Sequence, residues 1–320
     1  HSELRSVALD TTDLIITDNV RANARPDMDA TRERMENELL PMLERGILPV
    51  LTGFIGGTTT GKPTTLGRGG SDYTAAILGV CANATEIWIW THVNGVMSAD
   101  PHEIKDARVL HQLSITEATE MAFFGARVLH PRMLMLMRGH DISLRVRNLF
   151  APQHPGTLVH NSPPELKEGL QAVTSIAAIA LQTNTGGSLA NITALVDSVF
   201  FDTIGTRAEV TITTQSSNHT LICFVVPIAA GHEAVHTLSS ALEDQLQEHS
   251  KWQVEPVTIV TIIGAQDAIS LESCVQIMNT LANIPILAID YSPARCGISM
   301  VINVRDTELA LKRLHEQILK

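Results

Sequence analysis

The sequence predicts an α/β protein in which a largely parallel sheet is followed by two smaller units with the element order β-α-β-β-α. Apolar, strand-like runs alternate with helical stretches up to about residue 161, and this alternation is typical of a parallel sheet covered by helices. Beyond that point the same order of elements occurs twice, each time over about 60 to 75 residues, which indicates a duplicated ferredoxin-like fold.

The first region opens with two strands and a helix between them. Two apolar runs, residues 14–17 and 47–51, predict buried strands. The stretch between them, residues 30–45, predicts a helix that ends at Gly46. Because proline has no backbone N–H, Pro41 is expected to kink or split this helix.

The same region continues with a helix, a strand and a polar boundary. A helix is predicted over residues 71–84, with Ser71 or Asp72 as its cap, and a strand over residues 86–91. A segment rich in proline and polar residues, 151–164, then ends the region. The expected domains are residues 1–161, 162–250 and 251–320.

The two β-α-β-β-α units are predicted from short apolar strands that alternate with amphipathic helices. In the first unit the strands are expected at residues 175–181, 208–214 and 220–226, and the helices at residues 189–200 and 233–248. In the second unit the strands are expected at residues 257–263, 286–290 and 297–303, and the helices at residues 271–281 and 307–318.

Composition excludes two classes of partner. Of the 320 residues, 44% are apolar and 18% are charged, which is the balance of a globular chain with two or three domains. The apolar runs are far too short to cross a bilayer. The net charge of −11 argues against a general nucleic-acid binder. We therefore expect neither a membrane nor a nucleic acid as partner.

Cysteine and histidine usage favours a cytoplasmic protein with no metal held by its own side chains. The four cysteines lie among apolar or small neighbours and form no C-x-x-C pair, so buried thiols in a reducing compartment are expected. The 13 histidines show no zinc-binding spacing.

The densest chemical signal is a Gly-rich block at residues 64–75. It contains three glycines within four residues, just before the predicted helix, so its backbone N–H groups could hold an anion. Arg68 could bind a carboxylate through two hydrogen bonds, and Asp72 could hold a cation or orient a lysine. The alternative is a glycine turn that only caps the helix.

Three blocks of the sequence resemble the aspartate kinase family. The first joins residues 53–56 to the Gly-rich block, the second covers residues 90–101, and the third covers residues 116–131. They stand in the family's order and at similar spacing. The chain is therefore identified as the C-terminal part of an amino-acid-kinase three-layer sandwich, followed by the two ACT domains that the family carries.

The resemblance implies transfer of the γ-phosphoryl group of Mg-ATP to the side-chain carboxylate of L-aspartate, the first step of lysine, threonine and methionine biosynthesis. In the family the arginine matching Arg68 binds aspartate, and Ser71 and Asp72 lie at the same site. Contacts with ATP are implied for Thr91, His92, Met97, His102 and Arg127.

Four of the implied nucleotide contacts depart from the family's pattern. The family has an aspartate at the position of His92, an aromatic residue at Met97 and a basic residue at His102. Arg127 replaces a lysine, which keeps the charge but changes the geometry. Together these departures predict weakened ATP binding.

One catalytic element of the family has no match in the sequence. The family begins with a strand and a Lys-Phe-Gly-Gly loop, whose lysine contacts the transferred phosphoryl group. Lys62 follows a glycine but lacks the spacing of a Walker loop, so it is interpreted as a surface residue. With a first residue other than Met, this predicts a processed or partial chain that does not phosphorylate aspartate by itself.

A turn in the first ACT unit resembles the family's effector site for lysine or threonine. Backbone N–H groups at a strand-to-helix turn can hold a carboxylate, although Ser188 could instead only cap the helix. The implied residues are Asn184, Thr185, Gly187, Ser188, Leu189 and, on the facing strand, Gln215. The ACT units are also expected to join chains into a homodimer or a higher oligomer.

Three functions remain open at the level of sequence. The first is a catalytic aspartate kinase. The second is a non-catalytic regulatory subunit or pseudokinase that senses an amino acid, which His92, Met97 and His102 favour. The third is the kinase part of a bifunctional enzyme, with homoserine dehydrogenase or diaminopimelate decarboxylase fused beyond Lys320.

Overall fold

A computed structural model describes residues 4–161, 169–184, 189–227, 230–231, 233–246, 251–265 and 269–319. The chain divides into two compact units. The first comprises His1–Val96, Val109–Phe123 and Arg127–Glu165. The second comprises Met97–Arg108, Phe124–Ala126 and Leu166–Lys320. The boundaries expected at residues 161 and 250 stay predictions.

The described residues of the first unit form nine short strands and five α-helices. The strands are β1 Ser6–Leu9, β2 Ile16–Thr17, β3 Leu48–Leu51, β4 Ile55–Thr58, β5 Pro63–Thr65, β6 Glu86–Thr91, β7 Gln112–Ser114, β8 Ser143–Asn148 and β9 Thr157–His160. The helices are α1 Met28–Arg34, α2 Leu40–Glu44, α3 Gly70–Cys81, α4 Ile115–Phe123 and α5 Pro131–Met137.

Parallel pairing dominates the sheets of the first unit, as the sequence predicts. Strand β1 pairs with β3, β2 with β4, β6 with β8 and β7 with β9, all in parallel. The pairs β4–β5 and β8–β9 are antiparallel. The strand orders are β1-β3, β2-β4-β5 and β6-β8-β9-β7.

Pro41 splits the first long helix, as expected. Helix α1 is followed by a π-helical turn at Met35–Leu39 and then by α2, which has Pro41 in its first turn. Because proline lacks an N–H and its ring clashes with the carbonyl four residues earlier, the wider π turn accommodates it. Gly46, with a φ of +71°, then ends the segment.

The predicted strand at residues 14–17 forms over only two residues. Both Leu14 and Ile15 donate their backbone N–H groups to the carbonyl of Thr11, so this stretch is a turn that leads into β2. Their side chains are nevertheless buried, in a core with Met35, Leu39, Leu66, Ile77 and Cys81. The apolar pattern therefore predicted burial correctly, whereas the strand conformation predicted for Leu14 and Ile15 was wrong.

The second unit contains the two predicted β-α-β-β-α repeats. The first repeat consists of β10 Leu170–Thr183, α6 Leu189–Ile204, β11 Glu209–Gln215, β12 Thr220–Val225 and α7 Ala234–Leu246. The second consists of β13 Gln253–Gly264, α8 Leu271–Thr280, β14 Ile286–Tyr291, β15 Gly297–Asn303 and α9 Thr307–Ile318.

The two repeats share one antiparallel sheet with the order β11-β12-β10-β13-β15-β14. The long central strands β10 and β13 pair along most of their lengths, so each repeat extends the sheet of the other. The edge strands β11 and β14 also approach each other, with Cα atoms within 8 Å. The sheet therefore curls.

Both faces of this sheet are buried. Ile222 and Phe224 of β12 pack in one core with α6 and α7. Cys223, between them, points to the opposite face and is also fully buried. Burial raises the pKa of its thiol to about 12. Cys81 and Cys296 are buried as well, whereas Cys274 is partly exposed.

Candidate active site

The Gly-rich block forms a loop between β5 and α3, in the first unit. The loop begins at Leu66, whose side chain is buried and whose N–H donates to the carbonyl of Phe54 at 2.8 Å. Gly67 and Gly69 take left-handed conformations, with φ values of +81° and +66°. The chain can therefore reverse within four residues and enter α3 at Gly70.

The cap expected for α3 at Ser71 or Asp72 is wrong. The N-cap is Gly69, which makes no side-chain hydrogen bond because it has no side chain, and both predicted residues lie in the first helical turn. The left-handed conformation of Gly69 starts the helix one residue earlier than the polar pattern suggests.

Each glycine of the loop makes room for a protein group. A Cβ atom would overlap the side-chain oxygen of Asn23 at Gly67, the ring of His130 at Gly69 and the ring of Phe54 at Gly70. The glycines thus permit close packing of the protein against its own loop, in addition to the ligand approach that the sequence indicates.

The three predicted aspartate contacts lie together at this loop. Arg68 and Ser71 are exposed, so both can be reached from solvent, whereas Asp72 is partly buried. Burial raises the pKa of the Asp72 carboxyl above its usual value. The loop therefore presents a guanidinium, a hydroxyl and the N–H groups of the first turn of α3, a set that suits an anionic ligand.

Two side chains at the start of α5 hold this loop, and sequence reasoning assigned no role to either. Arg132 donates from Nη1 to the carbonyl of Leu66 at 2.5 Å, and its guanidinium lies 4.4 Å from the centre of the Tyr73 ring. His130 caps α5, since its Nδ1 accepts from the Arg132 N–H at 3.3 Å. Pro131, which follows His130, was the one available signal of a helix start.

The five predicted nucleotide contacts are divided between the two units. Thr91 ends β6, and its carbonyl accepts from the Leu149 N–H at 2.8 Å. His92 and Arg127 are exposed and belong, like Thr91, to the first unit. In the second unit, Met97 is partly buried and His102 is exposed.

The segment Met97–Arg108 is anchored within the second unit. Ala99 and Ile104 are part of the apolar core that α8 and α9 cover. Ser98 Oγ accepts from the Arg108 N–H at 2.9 Å and lies 2.8 Å from Nε2 of His315, a residue of α9. No sequence signal linked Ser98 to His315.

The predicted effector turn is only partly visible, because Thr185, Gly187 and Ser188 lie outside the described residues. Asn184 Oδ1 lies 2.7 Å from Nδ1 of His219, a residue of the turn between β11 and β12. Leu189 begins α6 and is exposed, as is Gln215 at the end of β11. Asn184 and the β11–β12 turn are therefore adjacent, and the rest of the expected site stays a prediction.

Two features are absent from the described part of the chain: a cluster of metal-binding side chains and a membrane-spanning helix. No group of three or more His, Cys, Asp or Glu side chains there is arranged to hold a metal ion. None of the described helices is both long and apolar enough to cross a bilayer.

The fold defines a class of protein. It combines a largely parallel α/β unit, which has a Gly-rich loop at a helix start, with two ferredoxin-like repeats that share one sheet. Residues 1–148 match the model of the amino acid kinase family. The chain is 31% identical over 321 residues to the chloroplastic bifunctional aspartokinase/homoserine dehydrogenase 2 of Arabidopsis thaliana.

Solved structures agree with this class. Aspartokinase III of E. coli in complex with aspartate and ADP is 28% identical, with a TM-score of 0.79 over 99% of this chain and 71% of that one. The same enzyme in complex with lysine and aspartate gives a TM-score of 0.78. The chain is therefore similar to aspartokinases over nearly its whole length. The match covers 97% of this chain but only 35% of the Arabidopsis relative.

Proposed function

We propose that the protein transfers the γ-phosphoryl group of ATP to the side-chain carboxylate of L-aspartate, giving ADP and 4-phospho-L-aspartate. The observation that carries this proposal is the Gly-rich loop, which presents Arg68 and the start of α3 to solvent on one side and is held by His130 and Arg132 on the other. The similarity to an aspartokinase solved with aspartate and ADP supports it.

Arg68, Ser71 and Asp72 are proposed to bind aspartate. The guanidinium of Arg68 can form two parallel hydrogen bonds with a carboxylate, and the Ser71 hydroxyl can donate a third. Asp72, whose pKa is raised by burial, gains an attractive partner when the substrate ammonium approaches. These groups orient the substrate carboxylate, which is the main task in phosphoryl transfer.

Thr91, His92, Met97, His102 and Arg127 are proposed to contact the nucleotide. Arg127 can supply positive charge to the phosphate oxygens. Mg²⁺ bound to ATP would neutralise the phosphate charge, and it would be held mainly by the nucleotide.

The proposal is tested by assaying the protein translated from the whole reading frame that contains this chain. Aspartate-dependent formation of ADP, together with capture of the acyl phosphate by hydroxylamine, is the expected result. The Arg68→Ala variant is the matched control, since it removes the proposed aspartate contact on an exposed side chain. ADP formation that does not depend on aspartate would contradict the proposal.

Regulation by an amino acid is proposed for the ACT-like repeats, with lysine or threonine as effector. Asn184 lies beside the β11–β12 turn, which places polar groups on two sides of the predicted site. Among similar proteins, aspartokinase III of E. coli has been solved with lysine. Glu209, exposed at the start of β11, could accept the side-chain ammonium of a lysine ligand.

Two further properties are proposed. A homodimer is supported by an exposed apolar stripe on α8, formed by Leu271, Val275 and Met278, which are 82%, 51% and 48% exposed. A cytoplasmic location is supported by the burial of Cys81, Cys223 and Cys296 in the interior, since buried thiols suit a reducing compartment, although the similar plant proteins are named as chloroplastic.

A bifunctional enzyme is the second candidate function. The similar Arabidopsis protein combines aspartokinase with homoserine dehydrogenase, and this chain matches 35% of its length. Homoserine-dependent reduction of NADP⁺ by the product of the whole reading frame would establish the second activity. Aspartate kinase activity without it would favour the monofunctional form.

A further inference from the structure

His130 packs directly against the backbone of the Gly-rich loop. The space that a side chain would occupy at Gly69 is filled by Cγ and Cδ2 of the His130 ring. Gly69 is also the N-cap of α3, with a φ of +66°. The ring therefore lies against the residue that sets both the loop's conformation and the start of the helix.

Hydrogen bonding fixes the orientation of the ring. Nδ1 accepts from the Arg132 N–H, so a neutral imidazole carries its proton on Nε2. Burial lowers the pKa of His130, and the charges of Arg132 and Arg68 lower it further. The side chain is thus held in one tautomer, in contact with the loop on one face and with α5 through Nδ1.

Arg132 restrains the same loop from a second direction. Its guanidinium bonds to the carbonyl of Leu66, before the glycines, and stacks on Tyr73, after them. Between these two points the loop contains Arg68 and three glycines, whose backbone would otherwise be unusually free. A third restraint in the middle of the loop is therefore needed to hold Arg68, and the His130 ring supplies it.

We propose that His130 is a positioning residue for aspartate: its ring holds Gly69 so that Arg68 faces the substrate carboxylate. The inference rests on the proposed function, in which Arg68 binds aspartate. His130 touches neither substrate nor nucleotide in this role and acts only through the loop. Loss of the ring should consequently weaken aspartate binding while leaving the nucleotide contacts in place.

Two substitutions distinguish the contact of the His130 ring with Gly69 from the hydrogen bond that its Nδ1 accepts. His130→Asn keeps an acceptor for the Arg132 N–H but removes the ring, whereas His130→Phe keeps the ring atoms that contact Gly69 and removes the acceptor. His154→Asn is the matched control, because Nδ1 of His154 likewise accepts an N–H two residues later, from Gly156 at 3.1 Å, away from the loop.

The first measurement is steady-state kinetics on the product of the whole reading frame. His130→Asn should raise the KM for aspartate by about 10- to 100-fold, as expected when a substrate-binding group is misplaced by about 1 Å. The KM for ATP should stay within about twofold, and both His130→Phe and His154→Asn should remain close to wild type. Equal loss in the Phe and Asn variants would overturn the proposal.

The second measurement needs no ligand and uses the 320-residue chain. Hydrogen exchange of the backbone amides from Leu66 to Tyr73 should accelerate in His130→Asn and stay slow in His130→Phe. If the enzyme has no aspartate kinase activity but exchange accelerates, the proposed function fails and the ring's hold on the loop stands. If exchange and aspartate KM are both unchanged in His130→Asn, the role of His130 is refuted.

Discussion

Arg68 is the exposed cation on which the proposed aspartate site depends. Buried contacts hold its loop at both ends, at Leu66 and at Thr74, and the His130 ring contacts the loop at Gly69, while the Arg68 side chain itself is exposed. Since a guanidinium offers a planar pair of donors and an ammonium does not, charge alone is insufficient at this position.

Replacing Arg68 by lysine should therefore impair aspartate binding. The expected increase in KM for aspartate is about 10- to 100-fold, the loss of one charge-assisted hydrogen bond. Steady-state kinetics on the whole protein measure it, with Arg138→Lys, an exposed residue after α5, as control. An unchanged KM would show that aspartate does not contact Arg68.

His315 should make the stability of the protein depend on pH. Its side chain is buried against Ser98; burial lowers its pKa, with Arg108 acting in the same direction and Asp106 opposing it. Because its pKa is lower in the folded chain, the unfolded chain binds the proton more tightly. The stabilising effect of neutral, buried His315 is therefore present above the unfolded pKa of about 6.5 and is lost as the pH falls below it.

Urea unfolding between pH 7.5 and 5 measures this dependence. His315→Gln keeps a hydrogen-bonding group towards Ser98 and cannot titrate, so the decrease in unfolding free energy on acidification should be smaller than in wild type, by up to about 1.4 kcal/mol per pH unit. His236→Gln, at an exposed position on α7, is the control. Identical slopes in wild type and His315→Gln would contradict the assignment.

At the scale of single elements, helix α4 shows that a residue in a sequence block shared with the family can serve to stabilise a helix. Ser114 and Glu117 form a capping box: the Ser114 N–H donates to the Glu117 carboxylate at 2.6 Å, and the Glu117 N–H donates to Ser114 Oγ at 3.1 Å. Both side chains are buried. Glu117, which the resemblance placed inside the third family block, thus fixes the start of a helix.

Ser114→Ala should destabilise the protein by about 1 kcal/mol, the typical cost of losing a helix cap. Chemical denaturation measures the loss, and Glu117→Gln serves as the conservative partner because glutamine is also accepted in a capping box. If Ser114→Ala leaves the unfolding midpoint unchanged, the box contributes nothing to stability.

The exposed apolar stripe on α8 allows a test of the proposed dimer. Val275→Glu places a charge in the middle of Leu271, Val275 and Met278, and it should convert a dimer into a monomer because the charge would be desolvated in the interface. Sedimentation equilibrium at micromolar concentration distinguishes the two states. Gln276→Glu, one residue further along α8 and exposed, adds the same charge outside the stripe.

The shared sheet does not by itself explain a dimer. A lone β-α-β-β-α unit has an open sheet edge that could pair with another chain, but β10 and β13 already join the two repeats within one chain. The curled sheet also brings its edge strands β11 and β14 close together. A dimer therefore has to rest on other surfaces, such as the α8 stripe.

At the scale of the whole molecule, effector binding should raise thermal stability. A ligand that binds only the folded chain stabilises it by about 2.7 kcal/mol at 100 times its Kd. Millimolar lysine or threonine should consequently raise the Tm, whereas glycine, which lacks a side chain, should not. Gly187→Val should abolish the rise, and an unresponsive wild-type chain would reduce the ACT-like repeats to a structural role.

The amino-acid sequence by itself determined most of the elements and the resemblance to aspartate kinases. Strand β15 and helix α9 coincide with the predicted residues 297–303 and 307–318, because the periodicity of apolar residues is complete within each segment. The cluster of Arg68, Ser71 and Asp72 was also predictable, since these residues lie within five positions of one another.

Only the tertiary structure decided which distant residues meet. His130 lies against Gly69, Ser98 bonds to His315 across 217 positions, and Met97–Arg108 joins the second compact unit. Only the tertiary structure, likewise, shows that the two repeats share one curled sheet. Such contacts depend on the path of the whole chain and on which buried polar groups find partners along it, and no local window of sequence contains that information.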